Sequence, residues 1–150
     1  MRRGVTLIEM LLVVMIISLI AAVTFPAVTS GLDSIRLTSA SDSIVSFLNA
    51  GLNRAERRRV PVEIVVSIAE NKIKLFTVDT TRELAMPETI KIVKLHPALL
   101  TGEQEQARSI VLYPNGAIPR LGIELANQRN VHKIVRVDPI TGVPQVENLQ

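Results

Sequence analysis

From Met10 to Leu32 the chain runs for 23 residues without a charge, and no other feature limits what it can fold into so strongly. Most of these residues are Leu, Val, Ile, Met or Ala. About 20 helical residues at ~1.5 Å each cover a hydrocarbon core ~30 Å thick, so the segment can span a bilayer. Arg2 and Arg3 precede it and no basic residue follows until Arg36. Basic residues favour the cytoplasmic side, so the N-terminus is expected in the cytoplasm and the rest of the chain across the membrane. A cleaved secretory signal would share the basic start, with Val28-Thr29-Ser30 as a loose small-residue cleavage site. Glu9 opposes that reading. It stands inside the apolar stretch that begins at Val5, where an ionisable residue calls for a partner. Neutralisation by Arg2 or Arg3 in the headgroup zone is the plainer alternative.

The remainder is more ordinary. One domain is expected for 150 residues. The 47% apolar content is concentrated at one end, and the absence of Cys removes a disulfide framework, a thiolate zinc site and a cysteine nucleophile. Net charge is +3, and without Arg2, Arg3 and Glu9 it is +2, too little for a general binder of nucleic acid or acidic lipid.

Gly4-Val5-Thr6-Leu7-Ile8-Glu9 and the apolar run behind it resemble the type III signal of type IV pilins and type II secretion pseudopilins. That signal has a short basic leader, a Gly before the cut, an apolar residue after it, and Glu at the fifth mature position. Val5 stands where Phe is usual. Pro26 falls where the family often has a Pro that kinks the membrane helix. The resemblance implies that a prepilin peptidase of the inner membrane cuts between Gly4 and Val5 and methylates the new amine. It also implies that Glu9 pairs with the Val5 amine of a neighbouring subunit. In low-dielectric surroundings a misplaced subunit would bury an unpaired charge, so such a pair acts as a register device.

After Pro26 and the polar Thr29-Ser30-Gly31, apolar residues recur at Ile35, Ile44, Leu48, Leu52 and Ala55, with Val45 and Phe47 alongside. The rhythm is helical. Helix is therefore expected over 5–58, its first part (about 5–28) membrane-spanning and kinked at Pro26 because proline removes a backbone donor. Arg54, Arg57, Arg58 and Arg59 complement its carbonyl end, and Pro61 stops it. A patch for a polyanion is the alternative reading of these four arginines.

From Val60 the period changes to two. Strands are expected over 60–68, 72–79, 89–95, 108–113, 121–126, 131–138 and 143–146, with turns at Glu70-Asn71, Asn115-Gly116 and 138–142. Residues 80–88 and 97–107 read as loops. The expected fold class is α+β, a long N-terminal helix packed on an antiparallel β head, which is also the pilin plan. The organisation is a leader over 1–4, the helix over 5–58 and an extracytoplasmic head over 59–150. The head is most similar to the H-type minor pseudopilins, a group that includes fimbrial-T-like minor pilins. The stretches that carry this are Leu48-Asn-Ala-Gly-Leu-Asn-Arg-Ala55, Arg59-Val-Pro-Val62, Ile110-Val-Leu-Tyr-Pro-Asn-Gly116, Val131-His-Lys-Ile-Val-Arg-Val137 and Thr141-Gly142.

No catalytic constellation stands out, and no cofactor or metal is expected. His96 and His132 are far apart, without a carboxylate at ligand spacing, and read as surface or edge-strand residues. Glu103 and Glu105 lack the six to eight oxygens that calcium takes, and a solvated loop explains them. The acidic calcium loop typical of the major G-type pseudopilin has no counterpart near the C-terminus, where only Asp138 and Glu147 are acidic, which argues for a minor subunit.

Two functions follow from the resemblance. The first is a structural subunit of a type II secretion pseudopilus, anchored in the bacterial inner membrane with a periplasmic head. Its partners are the prepilin peptidase, other pseudopilins or pilins in a hetero-oligomeric filament, and exported protein. The alternative is a minor pilin of a type IV pilus that binds DNA during uptake. DNA-binding relatives concentrate basic residues near the C-terminus, whereas this chain has none after Arg136, so DNA is not the expected partner. An enzyme is a distant third reading, with no reaction to attach to it.

Overall fold

The computed structural model describes residues 5–98, 106–114 and 120–149, apart from the side chains at 26, 27 and 30. One helix, α1 (Leu7–Arg58), runs unbroken for 52 residues, about 80 Å at ~1.5 Å per residue. It begins two residues later than the sequence suggests. Thr6 has extended backbone and its Oγ1 accepts from the Glu9 N–H at 3.4 Å, so Thr6 is the N-cap and Val5 precedes the helix. Glu9 lies in the first turn, where a negative charge complements the helix dipole. The other end closes on Arg59 in left-handed conformation, φ 53°.

The helix has two unlike halves. Between Val5 and Phe25 every large apolar side chain keeps 44% to 80% of its surface exposed, so none of this segment packs on the rest of the subunit. From Leu37 onward a stripe turns inward: Leu37, Ala40, Ser41, Ile44, Leu48, Gly51 and Ala55 are buried, at the helical period. Ile35, counted with the apolar recurrence, is 65% exposed and off the stripe. At Gly51 an added Cβ would meet Leu75 Cδ1 at 3.0 Å and Ile64 Cδ1 at 3.3 Å, so glycine lets the helix lie close against the sheet.

Among the described residues eight strands follow: β1 (Val62–Ser67), β2 (Lys72–Phe76), β3 (Thr81–Ala85), β4 (Ile90–His96), β5 (Ala107–Leu112), β6 (Gly122–Asn127), β7 (His132–Val137) and β8 (Pro144–Asn148). They form two four-stranded antiparallel sheets, β3-β2-β1-β5 and β4-β6-β7-β8. The chain crosses into the second sheet for β4 and returns to the first for β5. Inward-facing Val62, Ile64, Val66, Ile73 and Leu75 of the first sheet meet Ile123, Leu125, Val135 and Val137 of the second and the buried stripe of α1 in one core. Asn71 joins the sheets. With φ 54° at the β1–β2 turn, it donates from Nδ2 to the Ile90 carbonyl (2.8 Å) and accepts from the Ile92 N–H (2.9 Å).

Seven of these strands lie where alternation puts them. The eighth, β3, falls in the segment read as a loop over 80–88. Thr-Arg-Glu-Leu-Ala has no apolar alternation because β3 is an edge strand with four of its five residues exposed; its ladder to β2 comes from the backbone. Asn115-Gly116, Glu103 and Glu105 lie outside the described residues.

The core supports a direct contrast. Leu48→Ala, at a residue 2% exposed, is expected to destabilise the head by about 2–5 kcal/mol. Ile35→Ala is expected to change stability by less than about 0.5 kcal/mol. Thermal denaturation of the full chain in detergent, followed by circular dichroism, separates the two.

Candidate functional site

The first half of α1 is a surface in search of an environment. Leu7–Phe25 is long and apolar enough to cross a membrane by length and composition. Its polar side chains are arranged accordingly: the hydroxyls of Ser18 and Thr24 donate to the carbonyls of Val14 and Ile20, each at 2.8 Å, so neither carries an unsatisfied donor into hydrocarbon. Glu9 differs. It is exposed, and its carboxylate has no hydrogen bond or ion pair among the described residues. Val5 is exposed immediately before the cap. Gly4 and the Pro26 side chain lie outside the described residues; the backbone at Pro26, where a kink is expected, is helical and α1 continues through it.

An exposed apolar helix with one acid near its start, behind a short basic leader, is the arrangement of a prepilin-type signal. Residues 1–25 match the prokaryotic N-terminal methylation motif. This signal, found on type IV pilin-like proteins, implies processing by a prepilin peptidase and assembly with other pilins, and the apolar helix fits the membrane anchor of such a protein. The match ends before the head begins. No curated protein and no solved structure matches the chain.

Where the helix passes from its exposed to its packed half, the head holds it by polar contacts. Arg129 Nε donates to Asp33 Oδ2 and Arg129 Nη2 to Thr29 Oγ1, both at 3.1 Å. Lys133 Nζ donates to Thr38 Oγ1 at 2.9 Å. Arg129 sits on the β6–β7 turn, which Asn127 shapes by accepting from the N–H groups of Arg129 (3.0 Å) and Val131 (2.9 Å). Nothing in the sequence pairs Asp33 with Arg129, because the contact depends on which loop ends beside the helix.

The four arginines gather at the far end of α1. Arg54, Arg57 and Arg58, with Asn53, line an open cleft of about 340 Å³, and Arg59 follows at the helix cap. Arg58 is 3.7 Å from Asp79, and Arg54 Nε is buried without a hydrogen-bond partner. The C-terminal carbonyls of a helix favour these cations on their own account.

The structure also brings together groups that the sequence keeps apart. His96 Nε2 lies 2.8 Å from Glu124 Oε2, and His132 Nδ1 lies 2.9 Å from Glu124 Oε1. A bulge after Ile92 is responsible on one side. Strict alternation would point His96 inward with Ile90 and Ile92; the shift turns Leu95 into the core and His96 onto the outer face beside Glu124. The carboxylate fills the space between the rings, and among the described residues no group of three or more His, Asp or Glu is arranged to hold a metal ion.

Burial pushes the Glu124 carboxyl up, but the hydrogen bonds and charges of His96 and His132 outweigh it and hold the pKa below its ordinary value of 4.5. A carboxyl lowered in this way stabilises the fold above its ordinary value, and the stabilisation is lost as pH falls through the lowered one. Glu124→Gln is therefore expected to destabilise the chain by about 1–2 kcal/mol at neutral pH. The gap between variant and parent should narrow below pH 4.5, as read from melting temperatures across the pH range.

Proposed function

We infer that the chain is a minor pseudopilin, a structural subunit of a type II secretion pseudopilus involved in protein export. The methylation motif, on a helix whose first half is exposed and whose second half is the spine of an antiparallel β head, supports a pilin-like subunit of either filament; the similarity of the head's sequence to H-type minor pseudopilins is what favours the secretion filament. A subunit built this way is inserted in a membrane before assembly and buries the same apolar surface against neighbours afterwards. On this reading residues 1–4 are the leader, Val5 becomes the methylated N-terminus, and Glu9 neutralises the amine of the next subunit. The anchor crosses the bacterial inner membrane once, with the N-terminus in the cytoplasm and the head in the periplasm. The reading gives the chain no catalytic step and no cofactor.

The alternative is a DNA-binding minor pilin, and the arginine cleft at Arg54, Arg57 and Arg58 is the feature that favours it. The deciding experiment is deletion of the gene in its own organism, restored by the parent chain or by a form with Arg54, Arg57, Arg58 and Arg59 changed to Ala. The pseudopilin reading expects loss of protein export, restored equally by both. Loss of DNA uptake with export intact, restored only by the parent, would replace it with the pilus reading.

A further inference from the structure

The two histidines on Glu124 differ in the protons they need. A carboxyl held below its ordinary value is ionised near neutral pH and only accepts, so His96 Nε2 (2.8 Å) and His132 Nδ1 (2.9 Å) both donate to it. His96 does this with a single proton, because its Nδ1 has no hydrogen-bond partner among the described residues. His132 has a second partner. Its Nε2 lies 3.2 Å from Asn130 Oδ1, another acceptor, and a neutral ring has only one N–H to give. The imidazolium, with an N–H on each nitrogen, satisfies Glu124 and Asn130 together.

The ring is 28% exposed, so it exchanges protons with water. The Glu124 carboxylate is the charge in direct contact with it. Register places Lys91 of β4 in its row on the outer face of the second sheet and Lys94 beside Glu124; both lysines are exposed and oppose an added charge. Arg136 on β7 and Glu147 on β8 stand 3.5 Å apart and offset each other. Lys133 is turned to the other face, bonded to Thr38, and Arg129 is drawn away to Asp33.

What the second proton holds is a turn. Asn130, with φ 60°, belongs to the β6–β7 connection, where its N–H donates to the Asn127 carbonyl at 3.0 Å. From the same connection Arg129 reaches Asp33 and Thr29 of α1. We propose that His132 is a proton-operated latch on this turn: a proton taken from water at Nε2 ties Asn130 to Glu124 and steadies the Arg129 clamp on the helix, and its loss leaves two acceptors facing each other and loosens the turn. Histidine changes charge between about pH 5 and about pH 8. A bond made only by the protonated ring stabilises the fold in acid and is lost as pH rises, so the head grips the root of its apolar helix more firmly in acid. The latch operates whichever filament the chain joins and whether or not the N-terminus is processed.

The test is thermal unfolding of the full-length chain in detergent micelles, followed by circular dichroism at about pH 5.5 and about pH 8, on either side of an ordinary histidine. Asn130→Gly removes the acceptor and keeps the left-handed backbone. The latch expects this variant to lose about 3 °C more in melting temperature at the lower pH than at the higher; the change in chain freedom is common to both. Asn130→Asp also tolerates that backbone and accepts more strongly, so it should widen the parent's gain in acid, and it supplies the reading if the glycine variant does not fold. Asp33→Asn, which weakens the Arg129 clamp, should cost more in acid than at the higher pH in the parent, and equally at both in His132→Gln. An equal loss from Asn130→Gly at both pH values would overturn the proposal. So would a larger loss at the higher pH, since the amide nitrogen would then be donating to a neutral ring. A cost of Asp33→Asn that ignores pH in the parent would overturn it too, by separating the latch from the helix.

Discussion

With cleavage after Gly4, as proposed, Gly4→Leu is expected to leave the chain uncut. Glycine would let the backbone lie in the peptidase site, and a branched side chain there would obstruct it without touching the apolar run that drives insertion. Membrane insertion is therefore expected to be normal while the mature form is absent, a loss of at least about tenfold on immunoblots of the membrane fraction, equivalent to ~1.4 kcal/mol or more at the processing step. An uncut chain keeps Met1 to Gly4 attached, lacks the new amine, and should not enter a filament. Mature protein at parental levels from the Gly4→Leu variant would move the cleavage site elsewhere.

Glu9→Leu is the second large effect, and it separates assembly from processing. Glu9 has no partner within the described part of its own subunit, and it stands at the start of a helix whose apolar flank is entirely exposed. Leucine in its place makes the helix easier to insert, so insertion and cleavage are expected to proceed. Assembly is where the loss appears. On the proposed pairing with the Val5 amine of a neighbouring subunit, removing Glu9 would leave the other charge buried and uncompensated, at about 3–5 kcal/mol, which is a hundredfold or more in an equilibrium constant at ~1.4 kcal/mol per decade. The fraction of the mature chain cross-linked into filaments should fall accordingly, with Glu9→Asp between variant and parent. Parental cross-linking by Glu9→Leu would remove the pairing from the mechanism of this subunit.

Different parts of the molecule were legible in the sequence for different reasons. The helix and seven of the eight strands follow from periodicity, because each has one face on the common core: Ile44 and Leu48 repeat every four residues, and Ile64 and Val66 every two. β3 carries no such record, since an edge strand held by backbone hydrogen bonds needs no apolar face. Sheet order is equally silent, because Ile92 and Ile110 alternate alike whichever sheet receives them. The N-terminal signal was legible as a resemblance, since its marks are contiguous in sequence, an acid in an apolar run behind two arginines, and residues 1–25 match the methylation motif. The contacts of the head were not. Glu124 reaches His96 only because a bulge after Ile92 turns the strand over, and Arg129 reaches Asp33 across 96 positions of sequence.

The central claim is that a prepilin peptidase makes a new N-terminus at Val5. Its most direct test is the intact mass of the chain purified from membranes in which it was co-expressed with that peptidase. The account predicts loss of the four residues Met1 to Gly4, with one methyl group added to the amine of Val5. A chain retaining Met1, or one cut near Ser30, would contradict it: the first would make the segment a plain membrane anchor, the second an ordinary secretory signal.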